Sequence, residues 1–283
     1  MPAAYLRSGE FMVINVGDNT VFCSVFGSGP EDLVCLHGYG ETGASFSHLA
    51  AEIGHRYRLI CPDLPLHGKT NWKGTDFSQV DLLQLVQGVV ASLQQPEISG
   101  AAITFSILGY SMGGRLALAY AGQRAAALKA VFLIAPDGII RNGWYWFSTQ
   151  TAVGNRIFRM AMTDPAMLLS SMAVARRLGW MTEKRHRFTL FFLEDEEQRQ
   201  ALYQRWTYFR RIRPEVKRDL DNCRAAGTTV VIIAGAKDPV IGAGKIKKHL
   251  PEDSAVSVQV VEHNHRLLQE PAVQQIAQII LTS

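Results

Sequence analysis

The sequence contains no apolar run that approaches the roughly 18 residues needed to cross a bilayer. Its opening stretch, MPAAYLRSGEFMV, holds no apolar segment of the kind that forms a secretory signal. The expectation is therefore a cytoplasmic protein with no integral membrane association. Cysteine is scarce: there are four, Cys23, Cys35, Cys61 and Cys223, and their spacing fits neither a metal site nor a disulfide framework. Cys35 and Cys61 lie inside apolar strand-like runs, where a free thiol acts as a small hydrophobe. All four read as reduced, and no metal is expected. An excess of one charge is also missing. A net charge of +4 is too small to point to nucleic acid as a partner. Internal repeats, low-complexity tracts and flexible linkers are absent as well.

What is present is the composition of a globular protein, with 47% hydrophobic and 19% charged residues over 283 positions. Short apolar runs rich in branched residues read as buried strands: DLVCLH (32–37), YRLICP (57–62), ITFSILGY (103–110), AVFLIA (130–135), TVVIIAG (229–235) and VSVQVV (256–261). Ahead of them FMVINV and TVFCSVF flank the turn GDN (17–19) and read as a hairpin. Helical spacing appears in FSHLAAEIG (46–54), VDLLQLVQGVVASL (80–93), RLALAYAGQ (115–123) and AVQQIAQIIL (272–281). Strands alternating with helices predict a mostly parallel sheet covered on both faces.

The alternation breaks between Gly138 and Gly227. This stretch contains Trp144, Trp146, Trp180 and Trp206, and its two clearest patterns, TDPAMLLSSMAVARRLGW and EEQRQALYQRWTYFRRI, are helical. It reads as a helical insertion. Residues 138–226 carry 16 Lys/Arg against 9 Asp/Glu, whereas the rest of the chain carries 13 against 16. Solvated helix faces account for such a bias; a field that attracts an anionic substrate or surface is the alternative.

The chemistry centres on GYSMGG (109–114), where an apolar run meets a helix former. Gly-x-Ser-x-Gly is weak alone, but at a strand-to-helix junction it is the pattern of a nucleophile elbow. A sharp turn there needs small residues at Gly109 and Gly113, and it leaves Ser111 clear of the sheet beside the N–H groups of a helix N-terminus. A serine hydroxyl needs a base near neutral pH. VEHNHRLLQEP supplies two candidates, His263 and His265, and AGAKDPV supplies Asp238, each in a loop that follows a strand. The order Ser, Asp, His matches one of the known triad orders. HGYG (37–40) follows DLVCLH, and its glycines let backbone N–H groups turn inward, so the N–H groups of Tyr39 and Met112 are the expected oxyanion donors. His37 and Gly38, with Trp144 and Trp206 of the insertion, are the expected substrate-binding residues.

In order along the chain, HGYG (37–40), PDLPLHGKT (62–70), GYSMGG (109–114), GAKDPV (235–240) and NHRLLQEP (264–271) resemble the motifs of the α/β-hydrolase superfamily, specifically its capped members with a serine nucleophile. The resemblance implies an eight-stranded α/β sheet with helices on both faces, a core domain of 1–137 and 227–283, and a helical cap of 138–226 inserted between strands six and seven. Members commonly carry a glutamate five residues after the catalytic histidine with a proline close behind. Glu270 and Pro271 stand there for His265 and not for His263. Some members place the triad acid after the preceding strand, which makes Asp137 the rival of Asp238. The usual second motif has two other residues where Pro65 and Leu66 stand; Asp63 and His67 are expected to stabilise that loop. The resemblance implies hydrolysis of a carboxylic ester or thioester of a small molecule through an acyl-enzyme, without metal or organic cofactor. A carbon–carbon bond hydrolase or lyase acting on a carboxylated substrate, and a non-catalytic ligand-binding receptor, are the other functions the same frame supports. A monomer and a homodimer fit the sequence equally.

Overall fold

The computed structural model describes residues 10–92, 104–179, 183, 193, 195–239, 241–251 and 256–283. Residues 1–9, Leu93 and Ile103 at the ends of two segments read above, Trp180 and Val240 lie outside the described residues. Eight strands form one sheet: β1 Glu10–Val16, β2 Asn19–Phe26, β3 Glu31–Leu36, β4 Tyr57–Pro62, β5 Phe105–Tyr110, β6 Leu128–Ile134, β7 Thr229–Gly235 and β8 Val256–Val261. Their spatial order is β1-β2-β4-β3-β5-β6-β7-β8. β1 pairs antiparallel with β2 and β2 antiparallel with β4; every later pairing is parallel. The hairpin closes at Val16 and Asn19. Gly17 lies between them with a positive φ of 59°. That left-handed conformation is one that glycine adopts freely.

Both faces of the sheet are covered, as the unbroken apolar character of the central strands requires. On one face Leu33, Cys35, Leu59, Cys61, Leu108, Phe132 and Ile233 pack with Leu49 and Ile53 of α1 (Ser47–Ile53) and with Val273, Ile276 and Ile280 of the C-terminal helix (Ala272–Thr282). Residues of the opposite parity, such as Val34, Ile60, Ile107 and Val131, are equally buried. Two further helices belong to the unit, α2 (Gln79–Ala91) and α3 (Met112–Arg124). α3 packs on β5 and β6, and α2 packs on β1 and α3. Ser78 starts α2 with a capping box, its side chain accepting from Asp81 N–H while the Asp81 carboxylate accepts from Ser78 N–H. The run VSVQVV differs from its expectation as a buried strand. β8 is the sheet edge, and Val260 is 41% exposed.

The chain divides into two compact units. The first draws on the described residues of Met1–Gly74, Ser78–Ile140 and Ile212–Ser283; the second draws on those of Thr75–Phe77 and Arg141–Arg211. The second is helical: α4 Gly143–Gln150, α5 Ala152–Thr163, α6 Ala166–Arg177 and α7 Glu196–Tyr208. Asn142, Thr151 and Asp195 cap α4, α5 and α7 through their side chains. Its core gathers Phe158, Met162, Met172 and Leu193, with Leu202, Tyr203 and Trp206 packed against them. Residues 216–225, grouped with the insertion in the sequence reading, form α8 (Val216–Ala225), which packs on α3 of the first unit. No strand signal separates that helix from the insertion, so only its packing reveals where it belongs. A short α9 (Ala243–His249) precedes β8, and the C-terminal helix is α10.

All four cysteines are buried free thiols. Burial pushes the Cys23 thiol up to about 12, with Asp63 adding to it, and the Cys223 thiol to about 11. Native protein is therefore expected to consume almost no aromatic disulfide reagent at neutral pH, whereas the unfolded chain consumes four equivalents. Rapid reaction of two or more native thiols would contradict this packing.

Candidate active site

The site lies at the C-terminal edge of the parallel strands, where the loops after β3, β5, β7 and β8 emerge. β5 is buried along its whole length and turns into α3 at Ser111, whose backbone has φ 52° and ψ −113°. A side chain other than glycine's rarely accepts positive φ, and here three backbone hydrogen bonds hold it. Ser111 N–H donates to Ile134 O at 2.9 Å, and Ser111 O accepts from the N–H groups of Gly114 and Asp137, both at 2.9 Å. The glycines are required by proximity. A Cβ on Gly109 would run into the backbone of Gly113, and one on Gly113 into the Leu36 carbonyl at the end of β3.

The loop after β7 carries Asp238, whose side chain has no solvent exposure. Its Oδ1 accepts from Ile241 N–H at 3.0 Å and its Oδ2 from His265 Nδ1 at 2.7 Å. On the far side of that ring His265 Nε2 lies 3.1 Å from Ser111 Oγ. Since Nδ1 faces a carboxylate and carries the proton, Nε2 is the acceptor for the serine hydroxyl. Tyr110, the residue before the serine, donates its hydroxyl to His265 O at 2.8 Å and so fixes the backbone of the histidine loop. Burial pushes the Tyr110 hydroxyl well up from its usual range, with Glu41 and Asp238 adding to it, so it remains a donor. The other two sequence candidates are engaged differently, although the Asp137 backbone adjoins Ser111. His263 gives its carbonyl to Lys237 N–H. The Asp137 carboxylate is 41% exposed and faces Arg115 at 3.6 Å.

HGYG follows β3. Leu64 N–H donates to His37 Nε2 at 2.9 Å, which places the ring proton on Nδ1 and directs it to Gly38 O at 2.8 Å. The His37 ring is fully buried and ties this loop to the PDLPLHG loop. Asp63 secures the second loop by accepting from Gly43 N–H at 2.8 Å and Lys69 N–H at 2.9 Å. His67 donates from Nδ1 to Pro65 O at 2.9 Å and packs edge-on against His37 and Tyr39. Met112 is the first residue of α3, where an N–H group has no intrahelical acceptor. Trp144 and Trp206 belong to the second unit. Trp144 is largely exposed beside Phe147, and Trp206 packs between Tyr145 and Phe158.

Glu41, absent from the sequence candidates, also belongs to this loop. Its Oε2 accepts from Gly38 N–H at 3.2 Å. Burial raises its carboxyl above the usual carboxylate range, opposed in part by the Gly38 amide, the Ser45 hydroxyl and the charge of His265. The signal available in the sequence is an acid directly after HGYG. Because the folded pKa lies above the unfolded one, the wild type loses stability as pH rises from about 4 through the folded value. Glu41→Gln keeps an acceptor for Gly38 and cannot ionise. Its melting temperature should match the wild type near pH 4 and exceed it by a few degrees at pH 8. An equal difference at both pH values would show that the Glu41 charge is not buried.

The alpha/beta hydrolase family profile matches residues 33–279. Among curated relatives, the chain is 31% identical over 132 residues to the pimeloyl-[acyl-carrier protein] methyl ester esterase of Aeromonas salmonicida, covering 46% of this chain and 47% of that protein. It is 28% identical over 122 residues to the 3-hydroxybutyrate-oligomer hydrolase of Cupriavidus necator, covering 41% and 40%. The chain spans less than half the length of such relatives. A thermophilic esterase from Thermogutta terrifontis has a similar fold, with TM-score 0.65 and 16% identity over 96% of this chain and 97% of that one. A serine on a strained strand-to-helix turn, at the edge of this sheet, within a match that runs from β3 into α10, leads to one assignment: the chain belongs to the alpha/beta hydrolase family.

Proposed function

We propose that the protein is a serine hydrolase that cleaves a carboxylic ester or thioester of a small molecule. The observation that supports this reading is the hydrogen-bonded series from Asp238 through His265 to Ser111, with contacts of 2.7 and 3.1 Å. In the proposed reaction Ser111 Oγ attacks the acyl carbonyl as its proton passes to His265 Nε2. Asp238 holds the ring tautomer and stabilises the imidazolium. The backbone N–H groups of Tyr39 and Met112 receive the negative charge on the carbonyl oxygen. His265 then gives its proton to the departing alcohol or thiol, leaving an acyl-serine. Water adds to that ester as His265 takes a proton from it, and the acid leaves as the proton returns to Ser111. His37, Gly38 and Asp63 act by shaping the loop that presents Tyr39.

A carboxylated substrate, required by the carbon–carbon bond reading, meets an opposing feature. Glu41 lies within electrostatic reach of His265, and a second carboxylate beside it is disfavoured. A neutral acyl group is the better fit. The test is a fluorophosphonate probe followed by intact mass. One adduct per chain, blocked by prior incubation with a slow ester, is the expected result. Absence of any adduct on folded protein would favour the receptor reading.

A further inference from the structure

Within the second unit, α5 and α6 each present two different sides. α5 turns Phe158 and Met162 toward Met172 of α6 in the unit's core. Away from that core it exposes Val153, Ile157 and Met160. They are spaced four and three residues apart, which at about 100° per residue makes one stripe roughly 60° wide. α6 repeats the arrangement with Met167 and Val174 outward, seven residues apart, and Leu178, its C-cap, four residues further on. The exposure of these six side chains runs from 47% at Ile157 to 80% at Met167. Exposed arginines accompany the stripes: Arg156 and Arg159 on α5, Arg176 and Arg177 on α6. Between residues 151 and 179 the sequence carries these four basic residues and a single acid, Asp164. Arg176 also meets Glu183 at 3.3 Å.

We infer that the α5–α6 face docks the protein peripherally on a bilayer rich in anionic lipid. Long apolar side chains on an amphipathic helix enter the boundary between headgroups and acyl chains, and flanking arginines engage the phosphates. A second copy of the chain is a poorer occupant. A two-fold contact sets a patch against itself, and here that would oppose four arginines to four arginines with only Asp164 and Glu183 as acids on each side. Nucleic acid is poorer still, because neither stripe contains an aromatic side chain for base stacking. Attachment is to the surface, since among the described residues no helix is long and apolar enough to cross a membrane.

The test is co-sedimentation of the full chain with vesicles of phosphatidylcholine alone and of phosphatidylcholine with phosphatidylglycerol at roughly two to one. Binding is expected to the anionic vesicles only, and it should weaken severalfold as salt rises from about 0.1 M toward about 1 M. Arg156→Glu with Arg159→Glu should lower the partition coefficient by at least about 25-fold, since about fivefold is lost per arginine removed and the two added carboxylates are repelled by the same lipid. Ile157→Glu with Met160→Glu should lower it at least about tenfold. Both pairs are exposed, and circular dichroism with thermal melting checks that each variant folds independently of any enzymatic assay. Three results overturn the inference: no sedimentation of the wild type with anionic vesicles, binding undiminished in both folded variants, or a wild-type dimer that Ile157→Glu with Met160→Glu disperses.

Discussion

Ser111→Ala is expected to lower kcat, on any ester the wild type hydrolyses, by about 10⁴-fold or more, with KM changed little. The hydroxyl is the only group that this substitution removes from the series ending at His265, and the alanine methyl fits where Cβ already stands. The elbow also remains. The bonds that hold the turn are backbone bonds, from Ser111 N–H to Ile134 O and from the Asp137 and Gly114 N–H groups to Ser111 O. Alanine at the positive φ of this turn carries the same strain as serine. Melting temperature should therefore move by no more than a few degrees. Residual turnover then reports what substrate binding and orientation achieve without the hydroxyl. The decisive measurement is kcat and KM for both proteins on one chromogenic ester, with mass spectrometry of the fluorophosphonate adduct beside it. A variant that keeps a tenth of the wild-type kcat would remove Ser111 from the chemistry and with it the acyl-enzyme.

The sheet is legible in the sequence because its strands are written as branched apolar runs bounded by turn residues, and the runs that form β3 to β7 are buried along most of their length. VSVQVV has the same composition and reads the same way. An edge strand and a central strand share that composition, and only pairing distinguishes them. α8 is hidden because LDNCR and its neighbours bury just Asp219, Leu220 and Cys223 on a largely charged helix. The residues brought to the site from far apart in sequence, Ser111, Asp238 and His265, are legible because each follows a strand of a parallel sheet, and such strands deliver their loops to one edge. The choice of His265 over His263 comes from the pattern of Glu270 and Pro271, not from local physics. Glu41 escapes a sequence reading because its importance depends on the curl of the HGYG loop, which brings its carboxyl back to the Gly38 amide. His37 is expected from sequence to meet substrate. Both of its ring nitrogens are instead committed to backbone groups, a commitment that depends on Leu64, 27 positions away in the chain.

Asp238→Asn and Asp137→Asn should separate the two acids by several orders of magnitude. Asparagine preserves the shape of Asp238 and can still accept from Ile241 N–H, so the fold should persist. Its amide presents either a donor or an uncharged acceptor to His265 Nδ1. Where it donates, the ring proton moves to Nε2, and the nitrogen facing Ser111 Oγ at 3.1 Å can no longer take the serine proton. Where it accepts, the imidazolium formed during attack lacks its counter-charge in a site where the acid's side chain has no solvent exposure. Either way kcat falls by about 10³- to 10⁴-fold, the scale the handling of this tautomer has in serine proteases. The loss should be partly recovered at high pH, where hydroxide assists attack. Asp137→Asn changes a carboxylate that is 41% exposed and faces Arg115, and the backbone bond from its N–H to Ser111 O does not depend on the side chain. Activity there should stay within about threefold of wild type, while stability should fall by about 1–3 kcal/mol, because the Arg115 side chain that faces this carboxylate is itself buried. Measuring kcat/KM against pH for both variants decides the assignment. A collapse in Asp137→Asn with Asp238→Asn nearly intact would transfer the role to the loop after β6, in spite of the 2.7 Å contact between Asp238 and His265.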